Sequence, residues 1–198
     1  MTVTVSIESN NVIGAMMDAV GPEGRHQLLS VAANAVRNAC QEHVRSYAQS
    51  KHLTAHRLGA QPTGHYEKGS AAISWSADSE SGTVTIPIPG ISRAFGDVRV
   101  SPRRGKALTI PISDVAYGRT VAEVRALGWT VFRPKGKDYL MGSDESGNVK
   151  PMFRLVGGVV LRQDPTLLPS MADNAGTAAK AMLNEIRRCV EKARGRAA

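Results

Sequence analysis

Five histidines, His26, His43, His52, His56 and His65, fall within forty residues, and Cys40 stands three positions before His43. Imidazole and thiolate are the usual ligands of a tetrahedral metal, and the i, i+4 spacing of His52 and His56 puts two side chains on one helix face. They stand at a helix end with no acidic residue between them, however, and a site of three or four ligands needs more convergence than this. The histidines therefore read as loop and helix-surface residues, and neither a metal nor a cofactor is expected. For nucleophilic catalysis the candidates are serines with Cys40 or Cys189, but there is no Gly-x-Ser-x-Gly elbow and no glycine-rich phosphate loop after a strand. Gly157-Gly158 reads as a bulge or tight turn between apolar strands. The carboxylates are scattered over polar faces without an acid and base pair. The chain reads as a non-enzyme, with no catalytic residue to name.

The cations are more concentrated. Arg99 stands with Arg103, Arg104 and Lys106; Arg133 with Lys135 and Lys137; and Arg187, Arg188, Lys192, Arg194 and Arg196 close the chain. Lys and Arg total 25 against 17 Asp and Glu, a formal net charge of +8 with a pI near 9.9. Such a balance attracts nucleic acid, acidic lipid or an acidic protein surface. Charged turns are commonly there for solubility alone; the functional reading of the first two clusters is contact with phosphate or with protein. Few aromatics accompany them, which argues against a platform for stacked bases and leaves contact with the phosphate backbone as the nucleic-acid option.

The elements that must carry these residues follow from periodicity. At 198 residues, 42% hydrophobic and 21% charged, the chain is ordinary for a folded protein and is expected to form one domain with extended arms. Two cysteines exclude a disulfide scaffold and fit a reducing compartment. The N-terminus lacks the pattern of a signal peptide and no apolar run approaches a bilayer span, so a soluble protein made in the cytoplasm is expected.

Val3, Val5 and Ile7 alternate with polar residues as a half-buried strand, and Ile13, Met16, Met17 and Val20 recur at helical spacing. From Pro22 to about Lys51 an apolar stripe through Leu29, Ala32, Val36, Cys40 and Val44 predicts a helix of about 45 Å. His52 to Gly69 has turn formers and no sustained period, and predicts an extended loop at about 52–70. Ile73 to Ala77 and Val84 to Ile88 predict a hairpin, with Pro87 and Pro89 at its edge or exit. Val98 to Val100 and Leu108 to Ile112 predict another, whose turn Ser101-Pro102-Arg103-Arg104-Gly105 leaves its cations at the tip. Thr120-Val121-Ala122-Glu123 is a capping box, with a short helix running to about Leu127. Trp129 to Arg133, Tyr139 to Met141, Met152 to Val156 and Val159 to Arg162 supply further strands. A last helix, roughly Ala172 to Arg194, carries Ala175, Ala179, Met182, Ile186 and Val190 on one side. The fold class is α+β: a mostly antiparallel sheet with hairpin arms, packed against one long helix and a C-terminal helix.

The run Arg93-Ala94-Phe95-Gly96-Asp97, the stretch from Val98 to Ile112 with its Lys106-Ala107-Leu108-Thr109-Ile110-Pro111-Ile112 ending, and Ala116-Tyr117-Gly118-Arg119 together resemble the tailed-phage virion morphogenesis proteins of Mu-like phages and prophages. The likeness covers about Pro62 to Pro169 and includes Trp129 to Arg133, Pro151 to Leu155 and Asp164 to Pro169. The family pattern often has a His or Gln where this chain has Ser92-Arg93. The resemblance implies a structural virion protein of the head-tail connector (neck) or of a tail-completion ring, located at the head-tail junction. Its implied partners are copies of itself in a ring homo-oligomer, a hexamer or dodecamer, together with portal or adaptor, tail-tube and terminator proteins. Double-stranded DNA passing without sequence specificity is a further implied partner. Arg99, Arg103, Arg104, Lys106, Arg133, Lys135 and Lys137 are then the residues expected to face a neighbour or DNA. The alternative is a basic nucleic-acid-binding accessory protein of a phage or prophage.

Overall fold

The computed structural model describes residues 3–6, 21–50, 53–103 and 105–196. The short helix expected around Ile13 to Val20 and the position of Arg104 lie outside the described residues. The protein is α+β, and the strand pairings among the described residues are antiparallel. Where the sequence suggests a single domain over 1–198, the fold divides into two compact units. The first comprises Met1–Ala48, Tyr66–Gly96 and Asp164–Ala198; the second comprises Gln49–His65 and Asp97–Gln163.

In the first unit the long helix α1 runs from Gly21 to Ser50, and buries Leu28, Leu29, Ala32, Val36, Cys40, Val44 and Tyr47 along its apolar stripe. A three-stranded sheet lies in the order β1 (Val3–Ser6), β3 (Gly82–Ile86), β2 (Ser74–Ala77). The predicted β2–β3 hairpin is formed, and its turn is tied by Asp78, which accepts hydrogen bonds from the Glu80 and Ser81 N–H groups at 2.8 and 2.7 Å. Val84 and Ile86 of the central strand pack into the α1 core with Ile88, Ile91, Leu167 and Met182. The C-terminal helix, α5 in chain order, spans Met171–Arg196. Its buried line is Asn174, Ala178, Met182 and Glu185, whereas Ala175 and Val190 of the expected stripe are exposed. Polar partners explain the rotation: Asn174 accepts from the Cys40 thiol at 3.8 Å, and Glu185 accepts from Gln27 of α1 and from Arg188.

Four residues at the places where the chain passes between units, Tyr47, Tyr66, Arg93 and Asp164, converge within the first unit. The Tyr47 hydroxyl donates to Asp164 Oδ2 at 2.6 Å, and Arg93 Nη2 donates to Tyr47 Oη at 2.7 Å and approaches Asp164 at 3.3 Å. The Tyr66 ring stands edge-on to Tyr47 at 5.1 Å, and the Asp164 N–H donates to the Arg93 carbonyl at 2.8 Å.

The expected loop at 52–70 is instead mostly helical: α2 covers Leu53–Leu58 and α3 covers His65–Ala71, joined by a short link around Pro62. Local helical hydrogen bonding needs no long apolar period, and the polar surfaces of such short helices leave no such signal in the sequence. In the second unit a four-stranded sheet has the order β5 (Leu108–Pro111), β8 (Val149–Val156), β7 (Tyr139–Ser143), β6 (Thr130–Phe132). A two-stranded ladder pairs β4 (Val98–Val100) with β9 (Val159–Leu161). One face of the larger sheet is covered by α4 (Val121–Ala126), and Val124, Val131, Met152, Phe153 and Ala116 form the core. The Thr120–Glu123 capping box is present as expected. A register shift between Leu140 and Met141 makes Met152 an extra residue in β8, so Met152 and Phe153, adjacent in sequence, are both fully buried.

Candidate interaction surface

The predicted hairpin of Val98–Val100 with Leu108–Ile112 is not formed, because β4 and β5 do not pair with one another. Val98 to Val100 pair with Leu161 to Val159, and Leu108 to Pro111 pair with Val156 to Phe153. Residues 98–111 thus run antiparallel to 153–161 as two successive ladders. Opposite Gly157 and Gly158, which separate β8 from β9, stand the seven residues from Ser101 to Ala107, so five extra residues are thrown out of line as a protruding loop. The alternation correctly marks both strands as strands; their partners, β8 and β9, come later in the chain. A side chain at Gly158 would press within 3.3 Å of the Val100 carbonyl, so the glycine lets the loop's base close.

The strand directions decide where this loop lies. β8 ends at Val156, which pairs with Leu108, the first residue of β5. β7 begins at Tyr139 opposite Arg154, and β6 ends at Phe132 opposite Met141. The loop preceding β5 and the β6–β7 turn, 133–138, therefore leave the same end of the sheet. Two basic clusters more than twenty residues apart in sequence come together there. The turn centre stands about two and a half strand spacings from β5, roughly 12 Å across.

Arg103 and Lys106 of the loop, and Lys135 and Lys137 of the turn, are exposed and make no ion pair among the described residues. Arg133 has a structural duty: its Nε donates to the Lys137 carbonyl at 2.8 Å and its Nη2 lies 3.3 Å from Asp138, the single carboxylate in this turn. Arg99 is exposed on β4, further along the ladder and opposite Val160. Sequence reasoning missed Arg154. It lies in β8 in the cross-strand row Ile110–Arg154–Tyr139, exposed, on the face opposite the Phe153 core. Its signal was an arginine inside the apolar run Met152 to Val156.

The other end of the sheet is acidic. Asp144 and Glu145 occupy the β7–β8 turn, and Asp114 follows β5. Asp144 accepts from the Asn148 side chain and N–H at 2.9 and 2.8 Å, and Asp114 holds Lys150 at 2.9 Å. The Asn148 side chain lowers the pKa of the first and the Lys150 ammonium that of the second, so both stay charged. Lys150 also lies 5.1 Å from the Trp129 ring.

The chain matches no protein-family model, no curated protein and no solved structure.

The far face of the sheet is a second feature. Along it the rows Leu108–Val156, Ile110–Arg154–Tyr139 and Pro151–Met141–Phe132 place apolar side chains around one arginine. Ile110, Phe132 and Val149 are 37%, 42% and 54% exposed. Among the described residues, no group of three or more His, Cys, Asp or Glu side chains could hold a metal ion, and no helix is long and apolar enough to cross a membrane. His43, one of the five histidines, has its Nε2 2.9 Å from the Thr166 carbonyl. The surface can therefore be covered by apolar contact on one face and attract anions at one end.

Proposed function

We propose that the chain is a structural subunit of a tailed-phage head-tail connector (neck) or tail-completion ring. The observation that carries this reading is the far face of the four-stranded sheet, where Ile110, Phe132, Tyr139, Met141 and Pro151 surround Arg154. An apolar centre with an aromatic and an arginine, rimmed by charge, is the composition of a protein interface. The resemblance of the Arg93 to Arg119 segment to virion morphogenesis proteins supports the same reading.

Charge favours a particular kind of contact. The second unit holds 14 of the 25 Lys and Arg but 6 of the 17 Asp and Glu, a net +8, while the first has 11 of each and is neutral. A two-fold interface would set one strongly basic unit against its own copy. A heterologous interface, in which the neighbour presents a different and less basic surface, avoids that repulsion and closes into a ring. The occupant is thus the next subunit of a ring, with portal, adaptor or tail proteins stacked above and below. The rival reading, a nucleic-acid-binding accessory protein, gives the apolar face no role.

Phe132→Asp tests the proposal. The exposed position keeps the fold intact, as circular dichroism would register, while virions fail at head-tail joining and free heads and tails accumulate. Normal infectious particles from a folded Phe132→Asp protein would contradict it.

A further inference from the structure

We infer that the basic end of the second unit's sheet binds the phosphate backbone of duplex nucleic acid without sequence specificity. The inference is independent of ring assembly, because it concerns the end of the sheet rather than its face.

Three observations carry it. First, the net +8 of the chain resides entirely in the second unit. Second, topology gathers Arg103, Lys106, Lys135 and Lys137 at one end, and leaves Asp114, Asp144 and Glu145 at the other. This separation creates a field that two solubilising turns placed at random would not. Third, these four cations are exposed and have no carboxylate partner among the described residues, so meeting a phosphate breaks no existing ion pair. Asp138, the one acid in the turn, is already held by Arg133.

Geometry favours a duplex. The loop and the turn stand roughly 12 Å apart at the backbone, close to the width of the B-form major groove, about 12 Å, across which two phosphate strands face each other. Exposed lysine and arginine side chains reach phosphates without reading base edges, so the contact positions and does not specify. An acidic protein would also be attracted, but it has no regular pair of charge rows at this spacing.

The experiment is fluorescence anisotropy of the full chain with a labelled mixed-sequence duplex, the matching single strand, and polyglutamate as competitor, over a range of salt. Four phosphate contacts predict a log K against log salt slope of about −3 to −4 for the duplex. Lys135→Gln with Lys137→Gln, and separately Arg103→Gln with Lys106→Gln, should each flatten the slope by about 2. Arg187→Gln with Lys192→Gln, on α5 of the neutral unit, should leave it unchanged. Scrambling the duplex sequence should change nothing. The inference is overturned by absence of binding at about 50 mM salt, where such contacts are strong, or by equal losses from the α5 pair. Tighter binding of the single strand, or displacement of the duplex by polyglutamate at equal charge, would likewise overturn it, the latter in favour of an acidic protein.

Discussion

Asp164 accepts from the Thr166 and Tyr47 hydroxyls and from Arg93, and these donors hold its carboxyl below the usual range, the Thr166 side chain most of all. A carboxylate lowered in the folded state stabilises fully above its unfolded pKa, near 4, and loses that contribution as the pH falls through the folded value. Asp164→Asn should therefore cost about 1–3 kcal/mol at neutral pH, because Tyr47 and Arg93 lose a charged acceptor. Urea midpoints measured from pH 7 downward should show the gap between wild type and variant closing below about pH 4; a gap independent of pH would mean that the charge is not what matters. Burial pushes the Cys40 thiol up to about 11, whereas Cys189 is exposed. Thiol titration at pH 8 should modify one cysteine in the folded protein and both after denaturation. None of the Tyr47, Tyr66, Arg93 and Asp164 cluster could be read beforehand, since these residues are 19 to 117 positions apart and carry no shared motif. The Thr120–Glu123 capping box was legible because its partners are three residues apart.

At the scale of elements, the two faces of the second unit's sheet should respond oppositely to the same truncation. Phe153 is fully buried against Val131 and Met152, and Phe153→Ala should cost about 3–5 kcal/mol in a denaturation experiment. Phe132, on the far face, should change monomer stability by less than about 0.5 kcal/mol on truncation to Ala; a large loss would mean that it belongs to a core. Alternation located β2 to β9 well, and the long helix α1 was predicted to within a residue at each end. Pairing was less legible. Alternation tells which residues share a face but is silent on which strand lies alongside: it suggests that β4 and β5 join each other, whereas each pairs with a strand more than forty residues away. The Met152–Phe153 bulge also breaks the period that a sequence reading relies on. In α5 the stripe was rotated because the buried positions include Asn174 and Glu185, polar residues admitted by partners on α1 that only the fold brings near.

For the molecule as a whole, composition gave the basic charge but not its distribution. Unit boundaries that cross the chain four times divide it into a neutral body and a cationic one, and a sequential reading, which saw one domain, had no means of sorting residues that way. The same topology brings the 101–107 loop and the 133–138 turn to one end of a sheet, so of the seven residues first singled out, Arg103, Lys106, Arg133, Lys135 and Lys137 prove to be neighbours by element. Arg99 lies further along the ladder and Arg104 outside the described residues. The far face and the basic end then offer two separable surfaces, one for a neighbouring subunit and one for phosphate. The most direct measurement of the assembly claim is native mass spectrometry with electron imaging of the purified protein, alone and mixed with connector and tail proteins. A closed ring of copies that Phe132→Asp dissolves is the predicted result; a strictly monomeric chain that joins no portal or tail component in any mixture would contradict it.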